Sequence, residues 1–307
     1  MFNTAQAGGI DNEDIFAPEA WTFRSTSPDI VVAIIGSGYR QSLDLNDNIR
    51  INKDEIWNNV VDDENNGFTD DSYGSNFSDN HPLPVVDSHG THVAGIAGAE
   101  GNNNFGVTWD VQLMPIDLFG TQRYSQSYYE VWSKFLDAVD YAVGNGADVI
   151  NASLGWDLKL TPEEFSVAVE DLHTDTFRTF KRSVENGTTN VIVAGNESLD
   201  FDQDWISYPA LYSEFKDGVI SVAANADTGD IADYSNYGSS VTIAAPRDDL
   251  TDDLRTGVMS IVPNSQYNFV PGTSMASPIV AGATVLIMAE NSNLTPADVE
   301  DVLQISA

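Results

Sequence analysis

Three short stretches of the sequence carry side chains that could do chemistry. The first, Asp87 to Gly95 (DSHGTHVAG), puts His89 and His92 three residues apart, on one face if the stretch is helical. Such a pair could bind a metal, but the chain has four histidines and no cysteine, so a zinc site would need carboxylates from elsewhere. The simpler alternative is a core histidine whose hydrogen bonds are satisfied.

The other two stretches each set one polar side chain beside an apolar element. Val191 to Glu197 (VIVAGNE) is a buried strand that ends in Gly-Asn, where Asn196 either closes a turn or offers its amide to a developing negative charge. Gly272 to Pro278 (GTSMASP) leads into an apolar helix, where Ser274 is either an N-cap or a hydroxyl presented at the positive helix end. Each stretch alone leaves both interpretations open.

A fourth stretch, Val31 to Tyr39 (VVAIIGSGY), is an apolar strand that ends in Gly36-Ser37-Gly38. A glycine-rich turn after a strand could cradle a phosphate. The dinucleotide fingerprint, however, needs a third glycine three residues after the second, and the next glycine here is Gly67. The remaining interpretation is an active-site loop that lacks its expected side chain.

The charge of the chain limits its partners. The 307 residues include 13 Lys+Arg and 47 Asp+Glu, a net charge of −34 at pH 7. This charge repels nucleic acid and anionic membrane surfaces, so neither is an expected partner.

The absence of cysteine excludes disulfides, thiolate metal sites and a cysteine nucleophile. The apolar run Ile279 to Ala289 is interrupted by Gly282 and is too short to span a bilayer.

The motifs need a scaffold, and the apolar pattern predicts one. Six short runs are typical of buried strands: Asp29–Ile35, Gln112–Leu118, Asp148–Ala152, Asn190–Ala194, Val219–Ala224 and Val241–Ala245. Tyr128–Val143 and Glu163–Val184 carry apolar residues at helical spacing. This alternation predicts an α/β fold with a mostly parallel central sheet and helices on both faces, as a single domain over residues 1–307. In such sheets functional groups gather beyond the carboxyl ends of the strands.

Taken together and in this order, HGTHVAG, VAGNE and GTSMASP resemble the subtilisin-like serine peptidases, the subtilase family. The resemblance covers nearly the whole chain. Ala17 to Trp21 (APEAW) is similar to the entry segment of the family, Asp148 to Gly155 (DVINASLG) to its substrate-flanking strand, and Leu294 to Val299 (LTPADV) to its late helix.

The resemblance assigns roles position by position. Ser274 matches the nucleophile and His89 the general base that takes its proton, whereas His92 matches a structural histidine. Asn196 and the backbone N–H of Ser274 match the oxyanion donors. Ser153-Leu154-Gly155 matches the strand that pairs with an extended substrate, which implies recognition of polypeptide by β-strand addition.

One position departs from the family pattern. The family carries its third triad member, an aspartate, where this sequence has Gly36. That carboxylate accepts a hydrogen bond from the histidine Nδ1–H and stabilises the imidazolium, and glycine can do neither. In subtilisin itself, loss of the aspartate lowers turnover by a factor on the order of 10⁴, or roughly 5 to 6 kcal/mol. Two other acids are candidates to replace it: Asp44 is near in sequence but matches a position that the family uses for calcium, and Asp87 lies two residues from His89 and is expected to point along a different face.

Two acidic stretches predict cation sites. Asp62 to Asp71 (DDENNGFTDD) sets oxygen ligands at alternate positions around a glycine, which is the logic of a calcium loop. The expected ligands are Asp62, Glu64, Asn66 and Asp71; the alternative is an acidic, solvated loop. Gly101 to Val107 (GNNNFGV) resembles the calcium loop of the family.

That resemblance implies Asn103 and Asp44 as side-chain ligands of a second site. The expected ion is calcium, which would stabilise the fold without joining the chemistry.

The sequence thus predicts a monomeric subtilisin-like endopeptidase acting on polypeptide, strongly impaired by Gly36. The alternatives are a pseudoprotease that binds extended peptides or a partner protein, and an enzyme whose aspartate has been replaced to prevent self-digestion. The resemblance implies an extracellular or cell-envelope location, although no signal peptide or pro-region is visible. The chain stops at Ala307, where relatives often continue, so we expect either a truncated domain or a lineage that ends early.

Overall fold

Seven parallel strands form the central sheet of the protein, in the order β2-β3-β1-β4-β6-β8-β9. The computed structural model describes residues 15–40, 42–78, 84–101, 106–122, 126–158, 175–202, 206–214, 217–226, 228–246 and 257–307. The strands are β1 Val31–Gly36, β2 Ser75–Asn76, β3 Gln112–Asp117, β4 Val149–Ala152, β5 Trp156–Leu158, β6 Thr189–Val193, β7 Ile206–Tyr208, β8 Val219–Asn225, β9 Ile243–Pro246, β10 Val258–Val262 and β11 Gln266–Val270. Two antiparallel pairs, β5 with β7 and β10 with β11, lie outside the central sheet.

The helices are α1 Ala17–Trp21, α2 Ser88–Gly98, α3 Tyr128–Gly144, α4 over residues 175–185, α5 Thr273–Glu290 and α6 Pro296–Ser306. Three of them begin where the sequence supplies a side-chain cap. Ser127 and Glu130 form a reciprocal capping box at α3, and Thr295 and Asp298 form another at α6. At α2 the Asp87 carboxylate accepts the backbone N–H groups of the first turn.

Side-chain alternation along each strand divides the core into two layers. Val32 and Ile34 of β1 face the layer that contains α2 and α5, whereas Ala33 and Ile35 face the layer that contains α3 and Phe180 of α4. Every residue of β1 is buried, as expected for a strand covered on both faces. By the same alternation, the side of Gly36 that would carry a Cβ faces the α2 and α5 layer.

The predicted architecture is confirmed: a mostly parallel sheet with helices on both faces. The six predicted strands agree with β1, β3, β4, β6, β8 and β9 to within two residues at each end, and the helix predicted over Tyr128–Val143 ends one residue later. Part of the predicted helix Glu163–Val184 lies outside the described residues, and residues 175–185 of it are helical. Among the described helices, α5 alone has the length and apolar composition to cross a membrane, with a mean hydropathy of 1.3, but 61% of it is buried inside the protein.

Core packing beneath α3 gives a direct test of this fold. Phe135 is fully buried, whereas Tyr129 on the same helix is 68% exposed. We expect Phe135→Ala to lower the free energy of unfolding by about 3 to 5 kcal/mol, because it removes buried apolar surface and leaves a cavity. Tyr129→Ala is the matched control and should change it by less than about 0.5 kcal/mol. Equal losses in urea unfolding would contradict the packing described.

Candidate active site

The carboxyl ends of β1, β4 and β6 lie side by side at one edge of the sheet, next to the first turns of α2 and α5. A cavity of about 170 Å³ opens there, lined by Ser37, His89, Phe119, Ser153, Leu154, Gly155 and Trp156. The structure therefore places His89 beside Ser153-Leu154-Gly155, at the edge where a doubly wound sheet binds its ligands.

Ser274 lies in the first turn of α5 and is held through its own carbonyl. Pro278 has no N–H, so it cannot make the helical bond to the carbonyl four residues earlier, which is that of Ser274. The Ser153 hydroxyl donates to that carbonyl instead, at 3.0 Å. The proline of the GTSMASP motif thus leaves an acceptor by which the end of β4 positions Ser274.

A buried polar network behind Ser274 fixes the same contact. Asn151 donates its amide to Ser153 Oγ at 3.0 Å and accepts the Ser277 hydroxyl at 2.8 Å. Asn151 and Ser277 are both fully buried. Because each polar group is paired, the network ties β4 to α5 with little freedom.

Asn196 follows β6, and its amide is oriented by Thr273. The Thr273 backbone N–H and hydroxyl both donate to Asn196 Oδ1, at 2.8 and 3.1 Å. The Nδ2 group consequently points away from Thr273 and makes no hydrogen bond to any residue in the described part of the chain. A Cβ added at Gly272 would lie 3.6 Å from Asn196 Oδ1 and 3.8 Å from both Asn196 Nδ2 and Ser274 N. The side-chain amide and the backbone N–H thus lie near the same glycine, and both are donors of the kind that an oxyanion needs.

His89 is the second residue of α2, and the helix start is fastened to β1. Asp87 Oδ1 accepts the His89 backbone N–H at 2.8 Å and the Ser37 hydroxyl at 2.7 Å. Ser37 Oγ in turn accepts the Gly90 N–H at 3.1 Å. Ser37 is the residue after β1, so this contact sets the distance between the end of the strand and the histidine.

His92 lies on the buried side of the same helix. Its Nε2 is 3.0 Å from the Asn268 carbonyl of β11, and burial lowers its pKa to about 4. The ring is therefore neutral at neutral pH and links α2 to the β10–β11 hairpin. No metal-binding group of the described residues includes it.

Gly36 ends β1 in a space that could hold a larger side chain. A Cβ added there would meet no atom within 4 Å, whereas one added at Gly38 would lie 1.7 Å from the Val85 carbonyl oxygen. Packing therefore does not require glycine at residue 36, whereas it does require glycine at residue 38.

Asp117 of β3 is the sheet partner of Gly36 and lies on the same face. Its carboxylate accepts the N–H groups of Val85, Phe119 and Gly120 at 2.9 to 3.0 Å. Burial raises the pKa of Asp117, and the nearby Asp87 charge raises it further. Its three donors hold the carboxylate in the turn after β3.

The acidic loop brings three carboxylates together. Oxygen atoms of Glu55, Glu64 and Asp71 lie within 4.8 Å of one another. Asn66 joins them through its amide, which donates to Glu64 at 2.7 Å and to Asp71 at 3.0 Å. The predicted ligands Glu64 and Asp71 thus meet, and Glu55, which the sequence pattern did not indicate, is the additional member. Asn66 lies against them through its Nδ2 donors, while its Oδ1 accepts the Phe68 backbone N–H at 2.8 Å.

Asp62, also predicted as a ligand, lies outside the three-carboxylate group. Its two oxygens accept the backbone N–H groups of Asn66 and Gly67 at 3.0 and 2.8 Å, so it shapes the loop. In the second predicted site, Asp44 is buried and accepts the Tyr267 hydroxyl. Asn103 lies outside the described residues.

The residues of the acidic loop suit a hard divalent cation. Burial raises the pKa of Glu64, and the charges of Asp71 and Glu55 raise it further. Burial likewise raises the pKa of Glu55. Such mutual repulsion is relieved by a cation bound between the carboxylates, and calcium prefers oxygen ligands of this kind. The repulsion disfavours the metal-free fold at neutral pH and fades as the groups are protonated.

Comparison with known proteins agrees with this geometry. The subtilase family model matches residues 27–307. The major intracellular serine protease of Bacillus subtilis is 30% identical over 89% of this chain and 72% of its own length. An extracellular protease of Xanthomonas campestris is 31% identical over 98% of this chain, which spans only 51% of that protein. A protease structure from Pseudoalteromonas arctica superposes with a TM-score of 0.68 at 30% identity, covering 95% of this chain and 86% of that one.

The fold and the site at the edge of its sheet define an α/β class of protein, and the comparisons identify the family within that class. The chain belongs to the subtilase family. A cold-adapted subtilisin-like proteinase, 22% identical with a TM-score of 0.65, shares the fold.

We expect the acidic loop to make the stability of the fold depend on calcium. At pH 7 chelation should lower the melting temperature by about 4 °C relative to calcium at ~100 times its Kd, since the ion binds only the folded chain. The difference in melting temperature should shrink as the pH falls, because Glu55 and Glu64, whose pKa values are raised, then bind protons. Glu64→Gln should reduce the response, whereas Glu19→Gln, an exposed change in α1, should keep it. A melting temperature that chelation leaves unchanged would contradict a calcium site in the acidic loop.

Proposed function

We propose that this chain hydrolyses peptide bonds through an acyl-enzyme at Ser274, at a rate strongly lowered because Gly36 stands where the family carries its triad aspartate. The observation that supports this most is the pair of donors beside Gly272. Asn196 Nδ2 and Ser274 N lie near the same glycine, and Thr273 holds the amide that supplies the first of them. Two such donors are what stabilisation of an oxyanion requires, which favours chemistry at Ser274 over peptide binding alone.

In this mechanism Ser274 Oγ attacks the scissile carbonyl while its proton passes to His89. The developing oxyanion is stabilised by Asn196 Nδ2 and Ser274 N, a contribution worth a factor of roughly 10² to 10³ for each such donor. His89 then returns the proton to the leaving amine. Without a carboxylate at residue 36 the imidazolium lacks its direct partner, so both proton transfers become slower.

An extended substrate would be recognised by Ser153-Leu154-Gly155, which lies between β4 and β5 and lines the cavity beside His89. Trp156 and Phe119 add apolar walls. Strand addition at this edge would position the scissile bond over Ser274. The location outside the cell that the resemblance implies stays a prediction, because the relatives include an extracellular and an intracellular protease.

The second candidate is a pseudoprotease that binds extended peptides without cutting them. It is favoured by Gly36, which leaves His89 without the carboxylate that the family carries. The two candidates differ in whether Ser274 reacts.

The decisive test compares this chain with Gly36→Asp, using Ser274→Ala as the inactive control. A Cβ at residue 36 meets no atom within 4 Å, so we expect the variant to fold without a clash at that atom. We expect Gly36→Asp to raise turnover of a peptide ester by a factor on the order of 10³ to 10⁴, and both active chains to react with a fluorophosphonate at Ser274. If the variant gains nothing and Ser274 stays unlabelled in both, the peptidase proposal is wrong.

A second prediction concerns the oxyanion donors. In the Gly36→Asp background, Asn196→Ala should lower kcat by about 10² to 10³ with little change in KM, because its amide acts in the transition state. Thr273→Val should lower kcat less, since the backbone N–H still holds Asn196 Oδ1. Thr273→Ser is the matched control and should keep kcat. Equal activity of Asn196→Ala and the parent would contradict the assignment.

A further inference from the structure

Asp87 places a negative charge at the start of the helix that carries His89. Its Oδ1 accepts the His89 N–H at 2.8 Å and the Ser37 hydroxyl at 2.7 Å. Ser37 is 6% exposed and also accepts the Gly90 N–H at 3.1 Å. The carboxylate is therefore held between β1 and α2, against the backbone N–H of His89.

The position of His89 at the start of α2 makes its protonation sensitive to the negative charge of Asp87. The first turn of α2 carries the positive end of the helix dipole, which disfavours a protonated imidazole there. In a triad the aspartate offsets this cost directly. Gly36 offers no charge, so in this chain the offset has to come from another group near the helix start.

Other charged groups face the same region from neighbouring elements. Asp117 of β3 is committed to three backbone N–H donors. His92 of α2 is buried against the Asn268 carbonyl of β11. Arg40, whose backbone N–H donates to Thr91 Oγ1 at 2.9 Å, is exposed, so solvent screens its charge. No lysine or arginine of the described residues lines the cavity at His89. Asp87 is thus an acid that accepts a hydrogen bond from the backbone N–H of His89, the residue that must become charged.

We infer that Asp87, held by Ser37, stabilises the His89 imidazolium in this chain and so takes over the electrostatic part of the role left unfilled at Gly36. The inference rests on the proposed peptidase function. The proton of Ser274 passes to His89, and Asp87 stays ionised throughout, accepting no proton. Asp87 is a positioning and charge-stabilising residue that does not touch substrate. It does not replace the Nδ1 hydrogen bond, which is why activity remains low.

The test separates charge from helix capping. Asn caps a helix about as well as Asp, so Asp87→Asn keeps the acceptor for His89 N and Ser37 Oγ and removes only the charge. We expect the variant to lower kcat of the Gly36 chain by a factor of roughly five to ten, as for the loss of one nearby charge in a partly solvated site. In the Gly36→Asp background the loss should be less than about twofold, because the direct partner is present. Asp29→Asn, an exposed change ahead of β1 at the opposite end of the sheet, controls for total charge.

A second measurement does not depend on turnover. In ¹⁵N-histidine NMR titrations, with His89→Gln to assign the signal, Asp87→Asn should lower the pKa of His89 in the Gly36 chain, because a negative neighbour favours the charged form. The acid limb of the rate profile should move to lower pH with it. Ser37→Ala should act in the same direction with a smaller effect.

The outcomes are distinct. An equal loss of kcat in both backgrounds would make Asp87 a helix cap only, and an unchanged pKa of His89 would overturn the inference outright. If Gly36→Asp shows no activity, the peptidase proposal fails, while the NMR titration still decides what Asp87 does to His89.

Discussion

The structure depends on the parallel alignment of β1, β4 and β6 beneath α2 and α5. Parallel strands end at the same edge, so each strand delivers its last residues to one place. Side-chain alternation buries Val32 and Ile34 beneath these helices. The same alternation fixes the face of the sheet toward which a side chain at residue 36 would point. A one-residue shift of β1 would turn that side chain toward α3 instead. Site geometry and core packing are therefore the same constraint.

The sequence predicts most of this fold because its signals are local. Continuous apolar runs identify the six main strands, and the caps at Ser127 and Thr295 mark helix starts. The contacts that complete the site could not be predicted in this way. Ser153 donates to the Ser274 carbonyl across 121 residues of chain, and that pairing exists only once β4 and α5 have packed. Pro278 was a readable signal for it, since a proline in a helix leaves one carbonyl without its usual partner.

The acidic loop also shows which contacts of a site the sequence does not predict. Alternating oxygen-bearing residues pointed to Glu64, Asn66 and Asp71, because a ligand loop has a local period. Glu55 lies ahead of that period and reaches the group through the fold of the preceding segment, where its carboxylate accepts the backbone N–H groups of Asp63 and Asp70. Asp62 follows the period but is used by the loop backbone. Spacing identifies candidate ligands, and the backbone bonds of the folded loop decide which of them are free to converge.

Gly36 has a consequence beyond the rate of reaction. The protein has not repacked around the smaller residue, since a Cβ there would still meet nothing within 4 Å. Some glycine codons differ from an aspartate codon by a single base, so one mutational step can connect the two residues. A triad carboxylate can be lost or regained along that step without a clash at the Cβ of residue 36.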